Sequence, residues 1–210
     1  MNTFFFDTET TGLTKKNKPH THPEQPMPVQ IGMKLDADNT IEMGAANVLI
    51  QTNTVEGVEP WIVSDGAFQA TGIDNARADT FGIHLVTGIE LFLDMVAPAD
   101  TVVAHNINYD IVVMRRAMRV YCDVTGQDYW DPFEDKTLVC TMFASQDIVK
   151  APPKRNGEWK WPKLEECVAH FFGEKLEGAH DALVDVRACA RVYYHLHHIG
   201  AFQEEFTRSA

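Results

Sequence analysis

At 210 residues, with 45% hydrophobic side chains, the chain has the size and apolar content of one domain, residues 1–210, with a substantial core. Its formal net charge of −12 argues against a surface coated with phosphate-binding lysines, though it does not exclude nucleic acid where metal ions make the contact. No apolar run approaches the roughly 18 residues of a membrane span, which argues against a membrane partner, and the four scattered cysteines (Cys122, Cys140, Cys167, Cys189) make no C-x-x-C, so reduced thiols in a cytoplasmic protein are expected rather than a zinc cluster.

The opening residues MNTFFFD lack the basic region of a secretory signal and enter a strand at once. Thr3 to Thr8 reads as that strand, rich in aromatic residues. Residues 14–28 are polar and contain four prolines, the composition of a mobile connection. Val29–Leu35 and Ile41–Ile50 read as two further strands joined by a hairpin turn at Asp36–Asn39. Helical patterns follow at 60–70, closed by Thr71-Gly72, and at 84–96, where Leu85, Ile89, Phe92 and Val96 fall at helical spacing. A short buried strand at Thr101–Ala104 leads to a helix capped by Asn106 and running to about Tyr121. A weaker strand near Lys136–Val139 enters a short helix, Pro162 opens a helix ending at Gly173, and residues 181–198 form the last long helix. Three strands followed by alternating helix and strand predict an α/β fold, a mixed sheet flanked by helices.

Residues two apart on a strand share a face, so Asp7 and Glu9 point the same way where the first strand ends. Like charges this close repel, and burying them costs free energy unless they are paired. A cluster of hard oxygen ligands for Mg²⁺ or Mn²⁺ resolves the conflict, although D-x-E can also mark a plain strand end or a helix cap. In VVAHNINYDIVVMRRAM, Asp110 lies within the apolar stripe of Ile107, Met114 and Ala117. It is either a third acid of the same cluster or a border residue reaching solvent or Arg115. In GAHDALVDVRACARVYYHL, Asp185 interrupts a stripe of Ala182, Ala188 and Val192 in the same way, and His180 stands at or before the first turn of that helix. A histidine there serves equally as a surface residue, a cap or a general base.

In order, D-x-E (Asp7, Glu9), H-N-x-x-Y-D (His105 to Asp110) and H-D-A-x-x-D (His180 to Asp185) resemble the three motifs of the DEDDh, or DnaQ-like, family of 3′–5′ exonucleases. This group includes the proofreading subunit of bacterial DNA polymerase and ribonuclease T. The likeness runs from residue 4 to about 196. It implies the ribonuclease-H-like mixed sheet, with an antiparallel three-strand meander and parallel strands beyond it. It further implies a two-metal hydrolysis that releases 5′-mononucleotides from the 3′ end of single-stranded nucleic acid, DNA favoured over RNA. Asp7 would bridge two Mg²⁺ or Mn²⁺, Glu9 and Asp185 would join the ion on the nucleophile side, Asp110 would act through water, and His180 would be the base. A polymerase or another nucleic-acid-processing complex is the partner the family suggests. Thr10, Thr11, Gly12 and Leu13 would meet the terminal nucleotide, with Leu13 either a wedge against the base or packed at the strand exit. His105 and Asn106, opening a helix, would meet phosphate, although Asn106 serves equally as a cap. The chain departs from the family in having Cys140-Thr141 where many members carry Asp-Thr.

Lys150–Lys163 is the one basic stretch, with Trp159 and Trp161 set among lysines. Tryptophans tucked onto the core are expected there ahead of base stacking. HLHH at His195–His198 reads as surface histidines. A haloacid-dehalogenase-type phosphatase would need an aspartate where Glu9 stands. A non-catalytic binding module would have lost acids that are all present here.

Overall fold

The computed structural model describes residues 1–38, 40–53, 59–152 and 157–202. Strands β1 (Thr3–Thr10), β2 (Pro28–Ala37), β3 (Ile41–Leu49), β4 (Thr101–Ala104) and β5 (Thr137–Cys140) form one sheet in the order β3-β2-β1-β4-β5. The first three strands pair antiparallel, and β1–β4 and β4–β5 pair parallel. The helices are α1 (Asp65–Thr71), α2 (Asn75–Phe81), α3 (Leu85–Val96), α4 (Ile107–Thr125), α5 (Thr141–Val149), α6 (Leu164–Phe172) and α7 (Ala182–His198). This is the predicted ribonuclease-H-like mixed sheet, with α3 and α4 on one face and α7 on the other.

The three phenylalanines explain why β1 lies at the centre. Phe4 and Phe6 alternate onto the α3–α4 face, where both meet Phe92 edge-on, while Phe5 turns to Tyr193 and Tyr194 of α7. All three are fully buried, each contributing about 2–3 kcal/mol of transfer free energy. The same alternation carries Asp7 and Glu9 to the α7 face and Thr8 to the α4 face. Strand β4 pairs with β1 only opposite Thr3–Phe5. The edge of β1 beyond Phe5 is therefore open on that side, and a side chain from α4 can reach it.

Gly32 sets how closely α7 approaches. It pairs with Asp7 across β1–β2, and the backbone at the start of α7 lies directly over it. A Cβ on Gly32 would stand 2.4 Å from the Ala182 carbonyl carbon, so only glycine allows this contact. The start of α7 is also held by Gln30, whose Oε1 accepts from Ala182 N, and by Asn47, whose side-chain amide donates to both Asp181 carboxylate oxygens. Asp181 in turn caps α7 by accepting from Leu183 N and Val184 N.

Several local expectations are corrected. The helix expected at 60–70 begins only at Asp65, because Ser64 caps it by accepting from Ala67 N; Gly72 closes it as expected. Helix α2 had no predicted counterpart: it buries only Ala78 and so carries no apolar stripe to detect. Asn106 does not cap α4 with its side chain. It takes a left-handed conformation, φ 70°, that turns the chain sharply from β4 into the helix. Pro162 precedes α6 rather than opening it, because Glu166 reaches back to accept from Lys163 N and the helix starts at Leu164. The polar loop is pinned rather than loose: Gln25 Nε2 donates to the carbonyls of Lys15, Lys18 and Pro19, and buried Met27 pairs with Thr11. The expected hairpin turn includes Asn39, and the basic stretch includes 153–156; these residues lie outside the described ones. All four cysteines are buried and free, as reduced thiols require.

Candidate active site

The carboxylates meet at the carboxyl end of β1, in a cavity of about 520 Å³ lined by Asp7, Glu9, Asp110, His180 and Asp185. Four elements contribute. Strand β1 supplies Asp7 and Glu9, α4 supplies Asp110 one turn from its start, α7 supplies Asp185, and the bend before α7 supplies His180. Asp110 is 3% exposed and is fixed by Thr8, whose backbone N–H and hydroxyl both donate to its Oδ1, at 3.0 and 2.7 Å. The open edge of β1 thus receives a carboxylate where a neighbouring strand would otherwise pair. Arg115, the alternative partner considered for Asp110, instead binds Asp131.

His180 is exposed and stands in a left-handed conformation, φ 70°. Its backbone N–H donates to Asp185 Oδ2 at 3.0 Å, which turns the carboxylate. Ligand atoms of Glu9, His180 and Asp185 lie within 4.8 Å of one another. The other oxygen of Asp185, Oδ1, is buried and finds no hydrogen-bond partner among the described residues. A buried orphan acceptor among three further carboxylates fits a divalent cation, and the all-oxygen and imidazole donor set suits Mg²⁺ or Mn²⁺.

The electrostatics agree. Burial, then the charges of Asp110, Asp185 and Glu9, push the Asp7 carboxyl well above the usual carboxylate range. Burial and the charges of Asp185 and Asp110 lift Glu9 to about 7. Burial also raises Asp110, against the opposing Thr8 hydrogen bonds, and raises Asp185 against the His180 N–H. Unfolded, these groups ionise near 4. Folded without a cation, they hold protons to higher pH, so the native state binds more protons and loses stability as pH rises from about 4 through about 7. The melting temperature in chelator is therefore expected to fall between pH 5.5 and 8. Mn²⁺ is expected to raise it more at pH 8 than at pH 5.5, since protons compete for the same oxygens. Thermal melts across that range check both; a Mn²⁺ effect independent of pH would contradict this electrostatic account.

The remaining predicted site residues divide. Leu13 is 82% exposed, so it is not packed at the strand exit, and with Glu9, Thr10 and Gly12 it lines a second cavity of about 320 Å³ against α1. Thr11 is tied to Met27 through its hydroxyl and N–H, and its carbonyl accepts from Ser64 N at the start of α1. Asn106 lines the carboxylate cavity, its side chain released from capping. His105 also lines that cavity, with Nδ1 on the Thr141 hydroxyl and Nε2 on the Pro162 carbonyl, both at 3.0 Å. Burial pulls it down to about 4, so it is neutral. Its Nε2 carries the proton, because a carbonyl can only accept. Thr8, which fixes Asp110, gave no signal in the sequence. Tyr109 stands in the H-N-x-x-Y-D motif, but the motif did not give its role: its hydroxyl donates to the Gly12 carbonyl and meets the Thr10 hydroxyl, locking the Thr10–Leu13 turn to α4.

A ribonuclease-H-like sheet with four acids and a histidine at the carboxyl end of its first strand has the arrangement of a DEDDh exonuclease. The chain belongs to the RNase T exonuclease family, whose model matches residues 4–193. No curated protein matches it by sequence. In fold it is similar to Exonuclease I of E. coli in complex with a dT13 oligonucleotide, at 18% identity and a TM-score of 0.69, over 93% of this chain and 40% of that one. The complex of that enzyme with a dA16 oligonucleotide gives the same values. A moderately thermophilic Exonuclease I from Methylocaldum szegediense is 20% identical, with a TM-score of 0.67, over 94% of this chain and 40% of that one. The chain thus spans about 40% of the length of these solved structures. Among the described residues, no helix is long and apolar enough to cross a membrane.

Proposed function

We propose that this chain is a 3′–5′ exonuclease domain that removes 5′-mononucleotides from the 3′ end of single-stranded nucleic acid, DNA in preference to RNA. The observation that carries this is the convergence of Asp7, Glu9, Asp110 and Asp185 with His180 in one open cavity. The DNA preference is supported by the fold likeness to an exonuclease solved with oligodeoxynucleotides.

Asp7, Glu9 and Asp185 would hold two Mg²⁺ or Mn²⁺, with Asp110 assisting through water. Bound there, the cations offset the acid charge, lower the pKa of water and stabilise a departing oxygen. The protein's own residues do the rest. Asp110, locked by Thr8, keeps the cluster rigid. The ring of exposed His180 accepts the proton of the attacking water while its backbone N–H steadies Asp185. The water oxygen bonds to the last phosphorus, the bond to the preceding 3′ oxygen breaks with its electron pair passing to that oxygen, which takes a proton from solvent to become the new 3′ hydroxyl, and the mononucleotide leaves. The Thr10–Leu13 turn, fixed by Tyr109, is where the terminal nucleoside would lie, with Leu13 against its base.

The test uses 5′-labelled single-stranded DNA and RNA of one sequence with Mg²⁺, resolved at single-nucleotide steps. A ladder shortening from the 3′ end, faster on DNA and lost in chelator, is expected. Faster shortening of RNA would make the protein an exoribonuclease. Cleavage of neither strand would overturn the enzymatic reading in favour of a binding role.

A further inference from the structure

The mechanism leaves Trp161 unused, yet it lines the same cavity as the carboxylates. We propose that Trp161 is a stacking platform for a nucleobase upstream of the terminal nucleotide. This rests on the nucleic-acid reading above and adds a subsite to it.

Trp161 is neither buried nor loose. Its ring packs on Phe143 of α5 at 67°, centroids 5.4 Å apart, and the residue stays 48% exposed. The strand of chain that carries it is fastened on both sides. On the side before it, the Trp159 carbonyl accepts from Gln146 Nε2 at 2.7 Å, Lys160 pairs with the Ala151 backbone, and Lys160 Nζ binds Glu166. On the side after it, the Pro162 carbonyl accepts from neutral His105, and Lys163 N donates to Glu166. A half-exposed indole would normally be free to fold onto the core and gain burial. These bonds hold it at the cavity wall instead, with its orientation set in advance, which lowers the ordering cost of a stacked ligand.

The chemistry of the wall selects a base. The acids lie at the floor, so an anionic group is tolerated only where a cation offsets them. Trp161 offers an apolar face, and Lys163 beside it is paired with Glu165 of the same cavity at 3.1 Å, so this wall carries no net charge of its own. Aromatic stacking is how proteins hold unpaired bases without reading their sequence, because every base has an apolar face. The Leu13 cavity lies on the far side of Glu9 and Tyr109, which both cavities share. The terminal nucleoside therefore fits the Leu13 side, and the strand behind it leaves past Trp161. His105 then acts as a positioning residue that anchors the platform to β4.

The test compares wild-type protein, Trp161→Ala and Trp161→Phe. Substrates are the p-nitrophenyl ester of thymidine 5′-monophosphate, which has no upstream base, and oligo(dT) and oligo(U) of equal length. Further oligo(dT) strands carry one abasic site walked back from the 3′ end. Trp161→Ala is expected to raise KM on oligonucleotides about tenfold with kcat within about twofold, and Trp161→Phe to keep most of the affinity. The ester should be hydrolysed equally by all three proteins. One abasic position should erase the difference between wild type and Trp161→Ala. An unchanged KM on oligonucleotides, or an equal loss on the ester, would overturn the proposal. Binding is also measured by fluorescence anisotropy with Asp7→Asn present in both proteins. If wild-type protein cleaves nothing, the enzymatic reading fails, while equal or unequal binding still decides the role of Trp161. A difference confined to oligo(dT) or to oligo(U) identifies the strand that the platform serves.

Discussion

Replacing Asp7 by asparagine is expected to lower kcat on single-stranded nucleic acid by at least about three orders of magnitude. The same protein, in chelator, is expected to melt higher than wild type. Asp7 stands among three other acids, and burial and their charges hold its carboxyl far above its ordinary range. Asparagine keeps the shape and removes the charge. If about 2 kcal/mol of repulsion and desolvation is relieved, the melting temperature rises by roughly 4–8 °C for a chain of this size. The two effects have one cause: the site is destabilising until a cation occupies it, which is the usual cost of a functional cluster. Single-turnover cleavage and calorimetry in chelator measure them. A variant that melts lower in chelator would show that the acids do not strain the fold. One that cleaves normally would move the chemistry elsewhere.

Loss of the His180 imidazole should cost about 10²–10⁴-fold in kcat, the range of a general base. His180 is exposed and stands at φ 70°, so two variants separate ring from backbone. His180→Ala removes the ring but keeps the strain, and His180→Gly removes both. Equal losses in the two, with partial recovery on adding imidazole, are expected. Recovery in glycine alone would make His180 a conformational residue, with Asp185 losing its N–H partner in alanine. A loss below tenfold in both would leave the proton to another acceptor.

Much of this site was legible because burying charge is costly. Asp110 and Asp185 each break an apolar stripe, and a stripe tolerates an acid only for a reason. The pair D-x-E after three phenylalanines carries the same contradiction on a strand. What was not legible lies in contacts without periodicity. Gly32 reads as an ordinary strand residue until α7 is laid over it. Thr8 is one of many threonines until β4 proves too short to cover it. Asn106 has the composition of a cap and the left-handed conformation of a tight turn. Helix α2, with one buried residue, has no pattern to read. Trp161 shows the limit of composition most clearly: packing and stacking predict the same residue type, and only its fastened surroundings separate them.

The acids of the site lie far apart in the sequence, with Asp7 and Glu9 in β1, Asp110 in α4 and Asp185 in α7. Their meeting depends on the fit of α7 over Gly32. This closure joins residues 152 apart in the sequence, Gln30 and Ala182, and its entropic cost has to be met before the contacts it brings can offset it. Until α7 has docked, Asp185 and His180 are missing from the site, however much of the sheet has formed. Recovery of cleavage during refolding is therefore expected to follow the docking of α7 rather than the formation of the sheet.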